Sequence, residues 1–375
     1  MFKRIRPIII KEFRQIRRDR RSLGVLLILP AFLVFLIGYA LNFDVKHISV
    51  AIFDQDRTQT SREFLRGFFN SEYFDARYSV ESYREIDELL DRGSALVAIV
   101  IPPRFSRDLD AGRDATIQIL VDGSNANTAT TVLGYVNAIV QTYSSSIAST
   151  FLARHGRDLY QPIDFRPKIW YNPELVSAKF LVPGLIGFIL MLSAVISTSL
   201  SVVRERERGT IEQIIVSPLH TTDVILGKTA AYLIIALFGS VVVLVTGFIL
   251  FDISIRGSLL WLYVGILIFL IGALGQGLLI STIAETQQVA FMISVFSSLL
   301  PSFLLSGFVF PIRSMPVALQ IISNLTPAKF FLVVVRSVII KGAGPSAIWD
   351  QYLAMGIFDA VMITLSSVRL LRKAK

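Results

Sequence analysis

Few side chains in this chain have the type and spacing that chemistry requires. His47, His155 and His220 are scattered, and cysteine is absent. This excludes a disulfide framework, a thiolate metal site and a cysteine nucleophile. No HExxH, GxSxG or GxxxxGK[ST] occurs, so the chain has no P-loop of its own for ATP. Asp54, Asp56 and Asp122 are the remaining carboxylates with a chemical look. They lie beside glycine or other turn formers at the ends of apolar runs, where Asp ordinarily bonds its own backbone. We therefore expect turns there, and neither a metal site nor a catalytic centre.

The charge that stands out is elsewhere. Residues 203–228 read VRERERGTIEQIIVSPLHTTDVILGK, between two apolar runs at 180–202 and 224–251. Each run is long enough to cross a bilayer, which takes roughly 20 apolar residues. Ile211, Ile214 and Ile215 fall at i, i+3 and i+4, one face of a short helix, with Thr210 placed to cap its start. Pro218 ends it, because proline lacks an N–H and disfavours helix at the residue before it. The segment reads as a short, partly apolar helix held at a membrane surface, or equally as an ordinary interfacial turn.

The sequence Arg-Glu-Arg-Glu-Arg-Gly-Thr-Ile-Glu-Gln-Ile, followed by Ser-Pro, resembles the cytoplasmic loop of type-2 ABC exporter permeases. A second stretch agrees with the first: residues 304–320, LLSGFVFPIRSMPVALQ, with Asn324, Thr326 and Pro327 following. The two occur in order, and the resemblance covers essentially the whole chain.

The elements that hold these motifs follow from hydropathy. Of 375 residues, 53% are hydrophobic and 17% charged, with mean hydropathy +0.61. Soluble proteins carry about 25% charge, so this is a membrane chain. Residues 1–22 form a basic amphipathic helix, with Phe2, Ile5, Ile9, Phe13 and Ile16 as its apolar stripe, suited to an anionic membrane surface. Six spans are expected at 23–43, 180–202, 224–251, 259–283, 289–310 and 348–368. Gly38-Tyr39-Ala40 resembles a signal cleavage site, but the basic flank and the apolar run are both too long for a signal peptide.

Residues 44–178 carry short apolar runs separated by charge. Strands at 48–53, 74–80, 95–101 and 116–121 alternate with helices at 58–69 and 82–91. A long helix follows, with Val132, Tyr135, Val136, Ile139, Val140, Tyr143, Ile147 and Phe151 on one face. Residues 165–170 supply a last strand. The fold class is thus a polytopic α-helical membrane protein with an inserted extracytoplasmic α/β domain, some of its strands parallel. An even span count and basic flanks at both ends (the tail at 369–375 has Arg369, Arg372, Lys373 and Lys375) place both termini in the cytoplasm. The loop 203–223 is then also inside, and 311–347 outside. The apolar run 330–340 is too short to span and reads as re-entrant or as a surface helix.

Small and polar residues inside the spans mark a candidate substrate path: Ser193 and Ser197, Gln276, and Ser294, Ser298 and Ser302 at four-residue spacing. Close helix packing is the commoner use of such residues. No span is expected to bury an ionisable residue near its centre, which argues against a proton- or ion-coupled secondary transporter. A ligand sensor, the other alternative, would require a cytoplasmic output domain.

What the resemblance implies is a permease that is not itself an enzyme and binds no cofactor. ATP and Mg belong to a separate ABC ATPase subunit. Arg204, Glu205, Arg206, Glu207, Gly209, Thr210, Glu212 and Pro218 are the expected coupling residues, with the three glutamates facing the ATPase. A second permease subunit, identical or related, completes the pore. Some members work with a periplasmic adaptor protein, in contact with membrane lipids of the bacterial inner membrane. Nucleic acid has no place in this scheme. The cargo is hydrophobic or amphipathic, drug or lipid-like.

Overall fold

A computed structural model describes residues 2–40, 47–154, 170–172, 176–209 and 221–373. The chain divides into two compact units, residues 43–167 and the remainder. In chain order the helices α1 (Phe2–Arg18) and α2 (Arg20–Ala40) come first. Then follow β1 (Ile48–Asp54), α3 (Gln59–Phe69), β2 (Phe74–Ser79), α4 (Tyr83–Asp91), β3 (Val97–Ile101), α5 (Phe105–Asp110), β4 (Gln118–Val121) and α6 (Ala126–Arg154). The membrane-type helices are α7 (Ser177–Glu207), α8 (Thr221–Phe251), α9 (Leu259–Ile283) and α10 (Gln287–Leu300), which continues as a π-helical turn Pro301–Leu305. The chain closes with α11 (Val317–Ser323), α12 (Pro327–Arg336), a second π-helical turn Ser337–Lys341, and α13 (Trp349–Lys373).

Among the described residues, the inserted unit holds a four-stranded sheet in the order β2-β1-β3-β4. β1 pairs in parallel with both β2 and β3, while β4 runs antiparallel to β3. Alternation along the strands explains the layers. Ile48, Val50, Val97, Ile99 and Ile101 face α3 and α6, and Ala51, Ala98 and Val100 face α4 through Ile86. Thr58 and Ser61 form a capping box at α3, and the Ser82 hydroxyl caps α4. Gly93 at φ 65° then turns the chain out of α4, a conformation glycine adopts without steric cost. The face predicted for the long helix packs over its first part: Val132 and Val136 are buried, with Tyr135, Ile139, Val140 and Tyr143 beside them, while Ile147 is only half-buried and the side chain of Phe151 lies outside the described ones. The strand expected at 165–170 lies outside the described residues, apart from Trp170, which is exposed and in no strand.

The carboxylates do turn chemistry. Asp54 Oδ1 accepts from the backbone N–H groups of Asp56 and Arg57 at 3.1 and 3.0 Å, and Asp122 Oδ1 from that of Ser124 at 2.9 Å. Asp56 Oδ2 accepts from the Thr58 hydroxyl at 2.7 Å and the Ser106 N–H at 3.0 Å. Partial burial pushes the Asp56 carboxyl up, but these bonds to its charged form win and hold it below the usual range.

Among the described residues of the other unit, five helical stretches are long and apolar enough to cross a bilayer: Ser177–Glu207, Leu226–Phe251, Leu259–Ile283, Gln287–Leu305 and Trp349–Leu370. Val317–Ser323 and Pro327–Lys341 make a sixth only if counted as one span, and they are bent by 82°. The apolar part of α2, Leu26–Ala40, is shorter. The helix α7 is the hub of this bundle, buried over most of its middle from Leu181 to Val203. Glycine lets the helices close: a Cβ on Gly277 of α9 would stand 2.7 Å from the Val195 carbonyl of α7.

Candidate functional site

The charged run ends α7 and does not form a free loop. Helix continues through Glu207, and Gly209 leaves it at φ 68°, a left-handed helix stop. Successive residues of the last turn point about 100° apart, so the four charges diverge toward different neighbours.

Glu205 points at α1 and α8. Its Oε1 lies 2.5 Å from Lys11 Nζ and its Oε2 2.8 Å from Lys228 Nζ. Glu12 Oε1 completes an alternating ring, 3.1 Å from Lys228 Nζ and 3.2 Å from Lys11 Nζ. Glu12, Glu205 and Lys228 are 1%, 6% and 4% exposed, so these charges are held in place of water by one another. Burial by itself lowers the Lys11 pKa, but the bonds to Glu205 and the charge of Glu12 carry it above its ordinary value.

The other charges point at the turn between α9 and α10. Arg204 Nε donates to Gln287 Oε1 at 3.1 Å, and Arg206 donates to the Ala284 carbonyl at 2.9 Å, just past the end of α9. Glu207 accepts from the Gln287 backbone N–H at 2.7 Å and from the Gln287 side-chain amide, at the first residue of α10. A carboxylate at a helix start and a guanidinium at a helix end both match the helix dipole. Arg204 also lies 3.8 Å from Asp19. The last turn of α7 therefore ties together α1, α8, and the α9–α10 turn.

Of the expected coupling residues, Arg204, Glu205, Arg206 and Glu207 share the last turn of α7 and bond to different neighbours. Glu205 and Glu207, expected to face a partner, face their own chain, because cations and an open helix start lie within reach. Gly209 is exposed at the end of the brace. Thr210, Glu212 and Pro218, and the helix read at 211–215, lie outside the described residues. Sequence reasoning missed Lys11, Glu12 and Lys228. The signal was present: Glu12 is an acid within a basic helix, and Lys228 a cation at the start of an apolar one. Glu12 also explains why α1 buries Ile8, Glu12 and Ile16 and leaves Ile5, Ile9 and Phe13 half-covered. The buried line follows the ion partner, and the expected apolar stripe lies beside it.

The polar residues of the spans do not share one seam. Ser193 and Ser197 border a small, partly open cavity of about 30 Å³ with Leu26, Tyr232 and Leu274. Gln276 donates to Ser297 Oγ at 3.2 Å, between α9 and α10. Ser294 meets Ser199 at 2.7 Å, and Ser302 donates to Met191 Sδ at 3.2 Å, both between α10 and α7. Ser298 is buried, with no partner for its hydroxyl among the described residues.

The expectation of spans without a buried central charge is overturned. Asp359 lies in the middle of α13, 8% exposed, with Oδ1 unpartnered among the described residues, where Gly272 lets α9 come close. One acid among Phe358, Ala360 and Val361 disappears in a hydropathy average. The argument against secondary transport from missing intramembrane charge therefore falls away.

Comparison with known proteins places these features in context. The family model described as "ABC-2 family transporter protein" matches residues 20–368. The Escherichia coli K12 protein named "Probable multidrug ABC transporter permease YbhR" is 33% identical over 360 residues, covering 96% of this chain and 96% of its own. The same organism's "Probable multidrug ABC transporter permease YbhS" is 33% identical over 362 residues, covering 96% and 94%. Its "Inner membrane transport permease YhhJ" is 28% identical over 365 residues, covering 96% and 95%.

Proposed function

Because the chain belongs to the ABC-2 family of transporter proteins, we propose that it is the membrane-spanning permease subunit of an ATP-driven exporter. Its cargo is a hydrophobic or amphipathic molecule, drug or lipid-like, moved out of the cytoplasm or the inner leaflet. A separate ABC ATPase hydrolyses ATP with Mg, and a second permease subunit completes the pore. Residues 44–178 project outside, where an adaptor protein finds them, and both termini stay in the cytoplasm of a cell whose inner membrane holds the complex.

The observation that carries this reading is the braced end of α7. The segment 210–220 leaves from Gly209 and returns at Thr221, the first residue of α8. Its base is tied by charge to α1, to α8 and to the α9–α10 turn. A push on that segment reaches several helices as one body, which is what an external ATPase requires. Arg204, Glu205, Arg206 and Glu207 serve as the brace, and Gly209, Thr210, Glu212 and Pro218 as the part that is gripped. The names of the relatives support the assignment to an ABC permease and point to drug-like cargo.

The test is reconstitution with the ATPase that co-purifies from the native cell. Efflux of a lipophilic dye from proteoliposomes should require ATP and stop when the ATPase is omitted. Efflux that persists without an ATPase and follows an imposed ion gradient would replace this reading with secondary transport.

A further inference from the structure

The elbow between α11 and α12 adjoins an apolar groove that the coupling site does not use. Asn324, Leu325 and Phe330 form one wall, and Ala354, Ile357, Phe358, Val361 and Met362 of α13 the other, of an open groove of about 440 Å³. That volume lies within the range of small-molecule sites, about 300–1,000 Å³.

The groove lies deep along the bundle. The π-helical turn Ser337–Lys341 that continues α12 is pinned beside the start of α9: the Arg256 and Gly257 N–H groups donate to the Ile339 and Val338 carbonyls at 3.1 and 3.0 Å. Nearer the beginning of α12, Phe331 stacks on Phe269 of α9, ring centroids 4.0 Å apart. Phe269 is some 15 Å along that helix at 1.5 Å per residue. So α12 rises from mid-depth to the surface, and its first residues sit about half-way through a hydrocarbon core of roughly 30 Å.

One of those residues is Lys329. Its amine donates to Asn324 Oδ1 at 2.6 Å, on the groove wall, and to Ser323 Oγ at 3.0 Å, and it lies 5.7 Å from the centre of the Phe330 ring. Among the described residues no carboxylate comes within ion-pair range of it. Asp359 faces away, toward Gly272. A lysine at this depth with only neutral partners is costly unless an anion arrives. The positive end of the α12 dipole points the same way.

We propose that this groove binds a long-chain carboxylate, its acyl chain between Phe330 and α13 and its head group on Lys329. This names a substrate class for the exporter reading above and rests on it. The binding itself needs no ATPase, so its failure and the failure of that reading are separable.

The test uses the full-length protein in phosphatidylcholine nanodiscs and a photoactivatable analogue of oleate. The label should land on the α13 peptide containing Ala354 and Met362. Oleate should compete and oleyl alcohol should not. Lys329→Gln should cut labelling at least tenfold, and Lys329→Arg should keep it. Equal labelling of Lys329→Gln, or equal competition by oleyl alcohol, would overturn the proposal, since the groove would then read only the chain. So would absence of label on α13 together with efficient disulfide-linked dimers of Ile357→Cys, because a second copy would then cover the groove.

Discussion

Glu205 shows how one side chain can be misread when its partners are far along the chain. In sequence it is an acid in a charged surface segment; in the fold it is a buried counter-ion for Lys11 and Lys228. Removing one member of a buried pair costs up to about 3–5 kcal/mol, and without Glu205 the single carboxylate of Glu12 is left to serve both lysines. Glu205→Ala should therefore lower the thermal midpoint sharply in fluorescence-detected size exclusion. Glu207→Ala, at a fully exposed site screened by solvent, should leave the midpoint nearly where it is. Equal midpoints for the two variants would refute the ring as a structural brace. Asp56 makes a prediction in pH. Its carboxyl is held below the usual range, so the stabilisation is complete above the unfolded value, about 4, and is lost as pH falls through the lower folded value. Asp56→Asn should flatten the acid limb of the stability profile of the inserted unit and leave its shape near neutrality unchanged, as read by circular dichroism.

At the scale of elements, what was legible followed periodicity. The alternation at Ile48, Val50 and Ile52 gives β1, and Ser82 and Gly93 bound α4, because strand and cap signals are local. What was not legible depended on contact across the sequence. Helix α7 runs on through the charged turn because Lys11, Lys228, Ala284 and Gln287 satisfy it, and none of these is near it in sequence. Asp359 was hidden for the converse reason: one polar group does not change the mean of an apolar window. The glycines of α9 carry the packing. A methyl at Gly277 would meet the backbone of α7, whereas one at Gly134 of α6 would meet nothing within 4 Å. Gly277→Ala should thus destabilise by about 1–3 kcal/mol through overpacking. Gly134→Ala should be neutral or stabilising by up to about 1 kcal/mol. Thermal midpoints of the purified variants decide between them.

For the whole molecule, the account requires an outward inserted unit and an inward braced turn. Reporter fusions at Gly112 and Ser346 should read exterior, and fusions at Arg208 and Lys375 interior; an interior signal at Gly112 would remove the basis for export topology. The central claim is that an ATPase grips the segment hung from the end of α7. The chain contains no cysteine, so a single introduced thiol reports contact without background. With Ser217→Cys in the gripped segment and Gly112→Cys in the inserted unit, a short bifunctional cross-linker applied to native membranes gives the most direct answer. A cross-linked ATPase that responds to ATP is expected from Ser217→Cys, and none from Gly112→Cys. An ATPase that co-purifies with the chain yet never cross-links at Ser217→Cys, with or without ATP, would contradict the central claim.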